Sequence, residues 1–214
     1  MKENTRIAVV GGTGKSGKYL VRELIDQGVH FKALIRNPEK FIVESPSVEI
    51  VYGDICNIET VRSLLSDCDA VISTLGMGIP YNNPIVCSTG TKNILKTMDE
   101  LGIGRYIVVT GLNVDTPFDK KSPKTKFATD WMYQNYPKTT TDRQDEYNLL
   151  LESKLDWTLV RLPLIELTDE RREVKPDLED CLGDKISATD LAHFLIGQFD
   201  DKTYIKKAPF LTNV

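Results

Sequence analysis

Nine residues near the start of the chain carry the clearest chemical signal. Val9-Val10-Gly11-Gly12-Thr13-Gly14-Lys15-Ser16-Gly17 places glycines at 11, 14 and 17, directly after the apolar run Arg6–Val10. In such a strand–turn–helix unit the first glycine makes the tight turn. The second lets backbone N–H groups approach a diphosphate, and the third lets the helix pack close to the strand. Gly11, Thr13, Gly14, Lys15 and Ser16 are the candidate diphosphate ligands. The partial positive charge of the helix N-terminus adds to their pull on an anion. The pattern predicts dinucleotide binding; a purely structural turn is the alternative. A P-loop is disfavoured, because G-x-x-x-x-G-K-[ST] needs a glycine where Val9 stands.

The second apolar run ends Ala33-Leu34-Ile35-Arg36-Asn37-Pro38. An NAD site usually offers a carboxylate to the ribose 2′-hydroxyl about 20 residues beyond the glycines. Arg36 stands there instead, 19 residues after Gly17. A guanidinium can hold a 2′-phosphate through two charge-assisted hydrogen bonds. The expected cofactor is therefore NADP in preference to NAD, with Lys40 and Lys15 close enough to help. The competing role for Arg36 is stacking on adenine. Gly53-Asp54-Ile55 follows the third run: Asp54 would accept from the adenine amino group and Ile55 would pack on the ring, or Asp54 would only cap a helix. Thr74-Leu75-Gly76-Met77-Gly78 follows the fourth, where glycines allow close approach to the cofactor ribose.

These loops need a scaffold. Predicted strands cover Arg6–Val10, Phe31–Ile35, Val48–Val51, Ala70–Thr74, Tyr106–Thr110 and Trp157–Arg161. Between them lie predicted helices: Lys15–Gln27 stopped by Gly28, a helix capped by Asn57 and reaching Leu65, and Ile85–Leu101 stopped by Gly102. Strands alternating with helices imply right-handed crossovers and a parallel sheet. The expected fold is a single α/β domain over 1–214, a Rossmann-like doubly wound parallel sheet with a small C-terminal substrate-side lobe. Open sheets of this kind bind ligands at the strands' carboxyl ends. Thr141-x-x-Gln144 reads as a capping box opening a helix to about Ser153, and Ser187-x-x-Asp190 as one opening a helix to about Phe199. A polar insertion at 116–140 carries Lys120, Lys121, Lys124 and Lys126 and holds a candidate helix at Phe127–Tyr136. Its lysines are either a solvated face or the rim of a lid over an anionic ligand.

Composition narrows the class. The chain has 214 residues, 41% apolar and 27% charged, which excludes wholesale disorder. A net charge of -4 argues against nucleic acid as a partner. Cys56, Cys68, Cys87 and Cys181 form no C-x-x-C pair, and with only His30 and His193 there is no zinc spacing. Free thiols suit a reducing cytoplasm. No secretory leader and no membrane-length apolar run is expected.

The chain resembles the atypical short-chain dehydrogenase/reductases. The resemblance rests on the G-G-T-G-x-x-G loop, Arg36-Asn37-Pro38, Tyr52-Gly53-Asp54 and Gly90-Thr91-Lys92-Asn93-Ile94. It extends to Arg105–Gly111, Leu155-Asp156-Trp157-Thr158-Leu159-Val160-Arg161 and Ile186-Ser187-Ala188-Thr189-Asp190-Leu191-Ala192. Together these look like the NmrA-like, NAD(P)H-binding branch, closest in layout to the biliverdin-IXβ reductase/NADPH-flavin reductase type. The chain departs from the wider family's Y-x-x-x-K acid/base pair: none of its eight tyrosines has a lysine four residues on. The serine and histidine of the flavin-reductase type fall at Gly111 and near Leu164, so no catalytic side chain is assigned.

The resemblance implies an NADPH-dependent oxidoreductase passing hydride to a flat conjugated acceptor such as a free flavin, with water protonating the product. Leu75, Gly76 and Met77 would line the ribose–nicotinamide path, Pro163 and Leu164 would shape the nicotinamide pocket, and Thr110 would donate to the nicotinamide amide or ribose. Tyr133 and Tyr136 are weaker candidates to reach over the substrate. His193 reads as structural and Trp157 as core. The alternative is a non-catalytic NADP-binding sensor with a protein partner; a sugar-epimerase relative is disfavoured by the missing acid/base pair. The expected state is a monomer or weak dimer.

Overall fold

The computed structural model describes residues 5–76 and 83–214. Side-chain alternation in its first strand sets the layering. In β1 (Arg6–Val10), Ile7 and Val9 join one apolar core while Ala8 and Val10 join a second, and all four are buried. A strand buried on both faces requires helices on both. On the Ile7 side these are α1 (Gly17–Asp26) and α6 (Ala188–Gly197). On the Ala8 side they are α2 (Ile58–Leu65), α3 (Val86–Leu101) and α5 (Pro137–Glu152). Each core leucine buried from these helices, such as Leu24 or Leu195, stabilises the fold by roughly 1.5–3 kcal/mol.

The sheet runs β3 (Val48–Tyr52), β2 (His30–Ile35), β1, β4 (Ala70–Ser73), β5 (Arg105–Gly111), β6 (Asp156–Leu162), β10 (Phe210–Asn213), β8 (Val174–Asp177). All neighbours are parallel except β8, which pairs antiparallel with β10 through Phe210↔Asp177 and Asn213↔Val174. β7 (Leu164–Glu166) and β9 (Lys185–Ser187) form a small separate parallel sheet. The strand order 3-2-1-4-5-6 is that of a doubly wound Rossmann-like sheet, and its direction of travel reverses between β1 and β4. A ligand crevice is expected at that reversal.

The sequence reading holds for the first half of the chain. Asn57 caps α2 by accepting from the N–H groups of Glu59 and Thr60, and α1 and α3 end at left-handed Gly28 and Gly102. The second half needs correction. α5 begins at Pro137, not Thr141: proline's fixed φ opens a helix at its first position without a capping box. Gln144 instead fastens the loop after β5, accepting from Asp115 N at 2.9 Å and donating to its carbonyl at 3.1 Å. The insertion's helix is α4 (Pro123–Asn135), opened by Ser122, so it starts four residues before Phe127. α6 stops at Gly197, short of Phe199. β7 to β10 were not anticipated, because runs of three or four residues are too short for periodicity to mark.

The insertion is pinned. Lys121 is buried, bonding Asp115 at 2.6 Å and Thr129 at 3.1 Å. Lys120 pairs with Glu179 at 2.7 Å, and Lys124 pairs with Asp184. Arg161, fully buried on β6, reaches the same region. It bonds Asp119 at 2.6 Å, the carbonyls of Val114, Leu178 and Ala208, and lies over the Phe210 ring. Three of the four insertion lysines therefore have carboxylate partners: Lys121 within the insertion, and Lys120 and Lys124 on the exposed surface. Among the described residues no helix is long and apolar enough to cross a membrane, and no group of His, Cys, Asp and Glu could hold a metal.

Candidate functional site

The glycine loop is shaped by contact. A Cβ on Gly17 would lie 2.0 Å from the Gly11 carbonyl oxygen, so the start of α1 sits against the end of β1 with no room for a side chain. Gly11 has φ +82°, and a Cβ there would meet Thr74 backbone atoms at 2.6 Å. The loop is thus pressed against the end of β4 and closed by Gly14 N donating to Gly11 O at 2.9 Å. α1 has no side-chain cap and no acidic residue in its first turn, so nothing there repels an anion. Thr13 and Lys15 stand on the same loop, Lys15 exposed to solvent.

Beside the loop, Arg36 follows β2 and Asp54 follows β3, and the two side chains meet at 4.0 Å. Both are substantially exposed. Asp54 uses one oxygen to accept from Cys56 N at 2.8 Å, in a turn before the helix; the cap itself is Asn57. Its other oxygen faces Arg36. Ile55 departs from expectation. It is 5% exposed, its side chain packs against Gly90 of α3, and its carbonyl accepts from Asn93 at 3.0 Å. The core claims its side chain, because α3 passes directly over it.

A cleft of about 210 Å³ opens at the carboxyl edge of the sheet. Ser16 forms one wall, Thr74, Leu75 and Gly76 the second, Thr110 and Gly111 the third, and Leu162, Pro163 and Ile165 the fourth. Six of the thirteen residues expected from sequence, Ser16, Leu75, Gly76, Thr110, Pro163 and the adjacent Gly11 that seats the loop, therefore meet at or beside one opening. Arg36 and Asp54 form a second group at the β2 and β3 ends. Met77 lies outside the described residues. Leu164 is exposed next to the cleft, and Tyr133 and Tyr136 are not among its walls. His193 pairs with Glu23 at 3.1 Å between α6 and α1, and Trp157 is buried against Tyr147, both structural roles.

Thr110 is 4% exposed and its hydroxyl has no hydrogen-bond partner among the described residues. A buried hydroxyl without a partner costs about 1–3 kcal/mol. Its residue lines the cleft, which makes the hydroxyl a candidate partner for a bound group.

Sequence reasoning missed Arg143. Its guanidinium donates to the Leu75 carbonyl, to the Val109 carbonyl at 3.3 Å and to Glu146 at 2.6 Å, joining the ends of β4 and β5 behind the cleft. Glu146, fully buried, also accepts from Thr91 at 2.8 Å, and Thr91 bonds the Tyr106 hydroxyl at 3.0 Å. Neighbouring Asp142 caps α3 from another helix, accepting from Cys87 N at 3.0 Å and Ser88 N at 3.1 Å. The sequence held a sign of this. Arg143, Glu146, Tyr147 and Leu150 share one helical stripe, and charges on an apolar stripe must be paired when buried.

Among the described residues, Arg143 is the one ionisable side chain on the cleft wall. It is tied to a carboxylate and two carbonyls, and arginine does not release a proton in proteins.

Sheet order, glycine loop and crevice together define a Rossmann-type dinucleotide-binding protein. The chain belongs to the NAD(P)H-binding family, whose model matches residues 11–202. It is 35% identical over 117 residues to an isoflavone reductase homologue of Nicotiana tabacum and 34% identical over 105 residues to the photosystem II assembly factor Ycf39 of Synechocystis. Those matches take in 50% and 48% of this chain but only 35% and 32% of the relatives' own length. Among solved structures, the anaerobilin reductase ChuY of Escherichia coli superposes with TM-score 0.81 at 16% identity, covering 98% of this chain and 97% of that one. A Veillonella parvula short-chain dehydrogenase/reductase in complex with NADP gives TM-score 0.77 at 18% identity, with 98% and 94% covered. Those likenesses establish the fold; binding of NAD(P)H follows from the family.

Proposed function

We propose that this protein is an NADPH-dependent reductase that passes hydride to a flat conjugated acceptor, such as a free flavin. The observation that carries the reading is the Thr110 hydroxyl, buried and unpartnered in a cleft that joins the glycine loop to the ends of β4, β5 and β6. A cleft of about 210 Å³ suits one planar ring, and Thr110 would hold a nicotinamide amide or ribose there. The glycine loop would bind the diphosphate, Arg36 would leave Asp54 for the 2′-phosphate, and Asp54 would accept from the adenine amino group. The bound cofactor would supply the hydride and water the proton: among the described residues lining the cleft Arg143 is the one ionisable group, and arginine does not release a proton. That lining favours flavins and quinones over simple ketones as acceptors. The named reductases among the relatives and neighbours support the same class.

A second reading is a non-catalytic NADP-binding sensor with a protein partner. It is favoured by the lack of a proton-donating ionisable side chain among the described cleft residues and by the match to an assembly factor. Calorimetry with NADPH and NADH, followed by NADPH oxidation with FMN, riboflavin or a quinone, decides between them. The reductase reading expects tight NADPH binding, and turnover that rises with acceptor. Arg36→Ala should weaken NADPH by about 10- to 100-fold, the worth of a charged hydrogen-bond pair, and leave NADH unaffected. Tight binding with no acceptor-dependent oxidation hands the case to the sensor. Equal NADPH affinity in Arg36→Ala removes the role given to Arg36.

A further inference from the structure

A second cavity lies at the opposite edge of the sheet and shares no lining residue with the cofactor cleft. It is a shallow depression of about 450 Å³, largely open to solvent. Its place is fixed by Arg105, the first residue of β5, which donates to the Gln198 carbonyl at 2.9 and 2.7 Å. Thr110 sits near the other end of that strand, roughly 17 Å away at about 3.3 Å per residue.

The walls combine two kinds of surface. Phe194 and Tyr204 form a tilted aromatic pair with ring centres 6.0 Å apart, flanked by Pro176. Between them and the helix end stand two acceptors. Gln198 is 3% exposed, and its side-chain oxygen has no partner among the described residues. Asp201 takes the N–H and hydroxyl of Thr203 on a single oxygen, at 2.8 and 2.5 Å. That threonine, with the Gln198 amide behind it, holds the carboxyl below the usual range, so it is charged at neutral pH. Asp201 has no ion-pair partner among the described residues. Arg105 acts on it through space, but the guanidinium's donors go to the carbonyls of Gln198 and Asp156. Gly197, the last residue of α6, faces open space: a Cβ there would meet nothing within 4 Å.

We propose that this cavity is a second binding site, for a small organic cation with a flat apolar body and N–H donors, the chemistry of an arylamidine, a guanidine or a protonated aminoheterocycle. Its N–H groups satisfy the orphaned Gln198 oxygen and the Asp201 carboxylate. Its body lies on Phe194 and Tyr204, where a cation also gains from the ring faces. An anion is repelled by Asp201, and a purely aliphatic ligand leaves Gln198 unsatisfied. This inference does not depend on the hydride-transfer reading.

Benzamidine is the probe, and benzamide its uncharged counterpart of nearly equal shape. Both are titrated into the full chain while backbone amide resonances are followed by NMR. Benzamidine should shift the amides of 194–204, with benzamide at least tenfold weaker. Asp201→Asn should weaken benzamidine at least tenfold, Gly197→Phe should abolish its binding by filling the cavity, and NADPH affinity should be unchanged in both. If Gly197→Phe does not fold, Asp201→Asn alone decides. No shift at 194–204, benzamide binding as tightly as benzamidine, or full affinity in Asp201→Asn each overturns the proposal.

Discussion

Gly17 and Thr110 are both small, but they answer substitution in opposite ways. Gly17→Ala forces a methyl group to within 2.0 Å of the Gly11 oxygen, so α1 must move off β1. Overpacking of this kind costs about 1–3 kcal/mol. The variant should melt several degrees lower and bind NADPH at least tenfold more weakly, by differential scanning fluorimetry and calorimetry. Thr110→Val removes a hydroxyl that has no hydrogen-bond partner among the described residues. Its thermal stability should hold or rise by about 1 kcal/mol, while NADPH affinity or turnover falls about tenfold. A drop in stability would show that the hydroxyl serves the fold. Both positions were legible in the sequence, Gly17 from spacing and Thr110 from its place at a strand end. The burial of Ile55 was not legible for a physical reason: nothing local in Gly53-Asp54-Ile55 reveals that Gly90 of a helix 35 residues on will lie against it.

At the scale of elements, the structure turns on α5. Arg143 and Glu146 bring a charge pair into the core to hold the β4 and β5 ends, and Asp142 finishes α3. Removing one member of a buried pair costs about 3–5 kcal/mol, whereas replacing both with apolar residues is often neutral. Glu146→Leu should therefore lower stability in urea by roughly that amount, and Arg143→Leu with Glu146→Leu should recover most of it. No recovery in the double variant would mean that the two carbonyls, not the carboxylate, are what Arg143 serves. The sequence announced α1, α2 and α3 clearly, because each has its own stop or cap nearby. It was less clear about α4 and α5, whose ends are set by Ser122, Pro123 and Pro137 within a polar stretch that lacks apolar period. β7 to β10 gain their identity from partners far away in the chain, as in the pairing of Phe210 with both Arg161 and Asp177.

For the whole molecule, titration limits stability on both sides of neutrality. Burial pushes the thiols of Cys68 and Cys87 up to about 12 and that of Cys181 up to about 11. An unfolded thiol titrates near 8.5. The folded state keeps protons that the unfolded chain releases, so this stabilisation is whole below about pH 8 and drains away as pH climbs toward the folded values. On the acid side, hydrogen bonds from Arg62 and Arg172 hold Glu100 and Glu166 below the usual carboxylate range. Their contribution is present above about pH 4.3 and is lost as pH falls through the lowered values. The unfolding free energy from urea melts should be flat from about pH 6 to 8 and fall on either side, by about 1 kcal/mol or more per buried thiol at pH 10, and the midpoint with it. A midpoint still rising at pH 10 would contradict the burial of these sulfurs. The cap that Asp142 lends to α3 has a temporal side as well. α3 is synthesised before residue 142, so the nascent helix begins with unpaired N–H groups at Cys87 and Ser88, and α5 is what closes it. The cleft-facing half of the sheet therefore cannot be finished during synthesis until the insertion and α5 have followed, and a chain interrupted before Pro137 would be left with its crevice unformed.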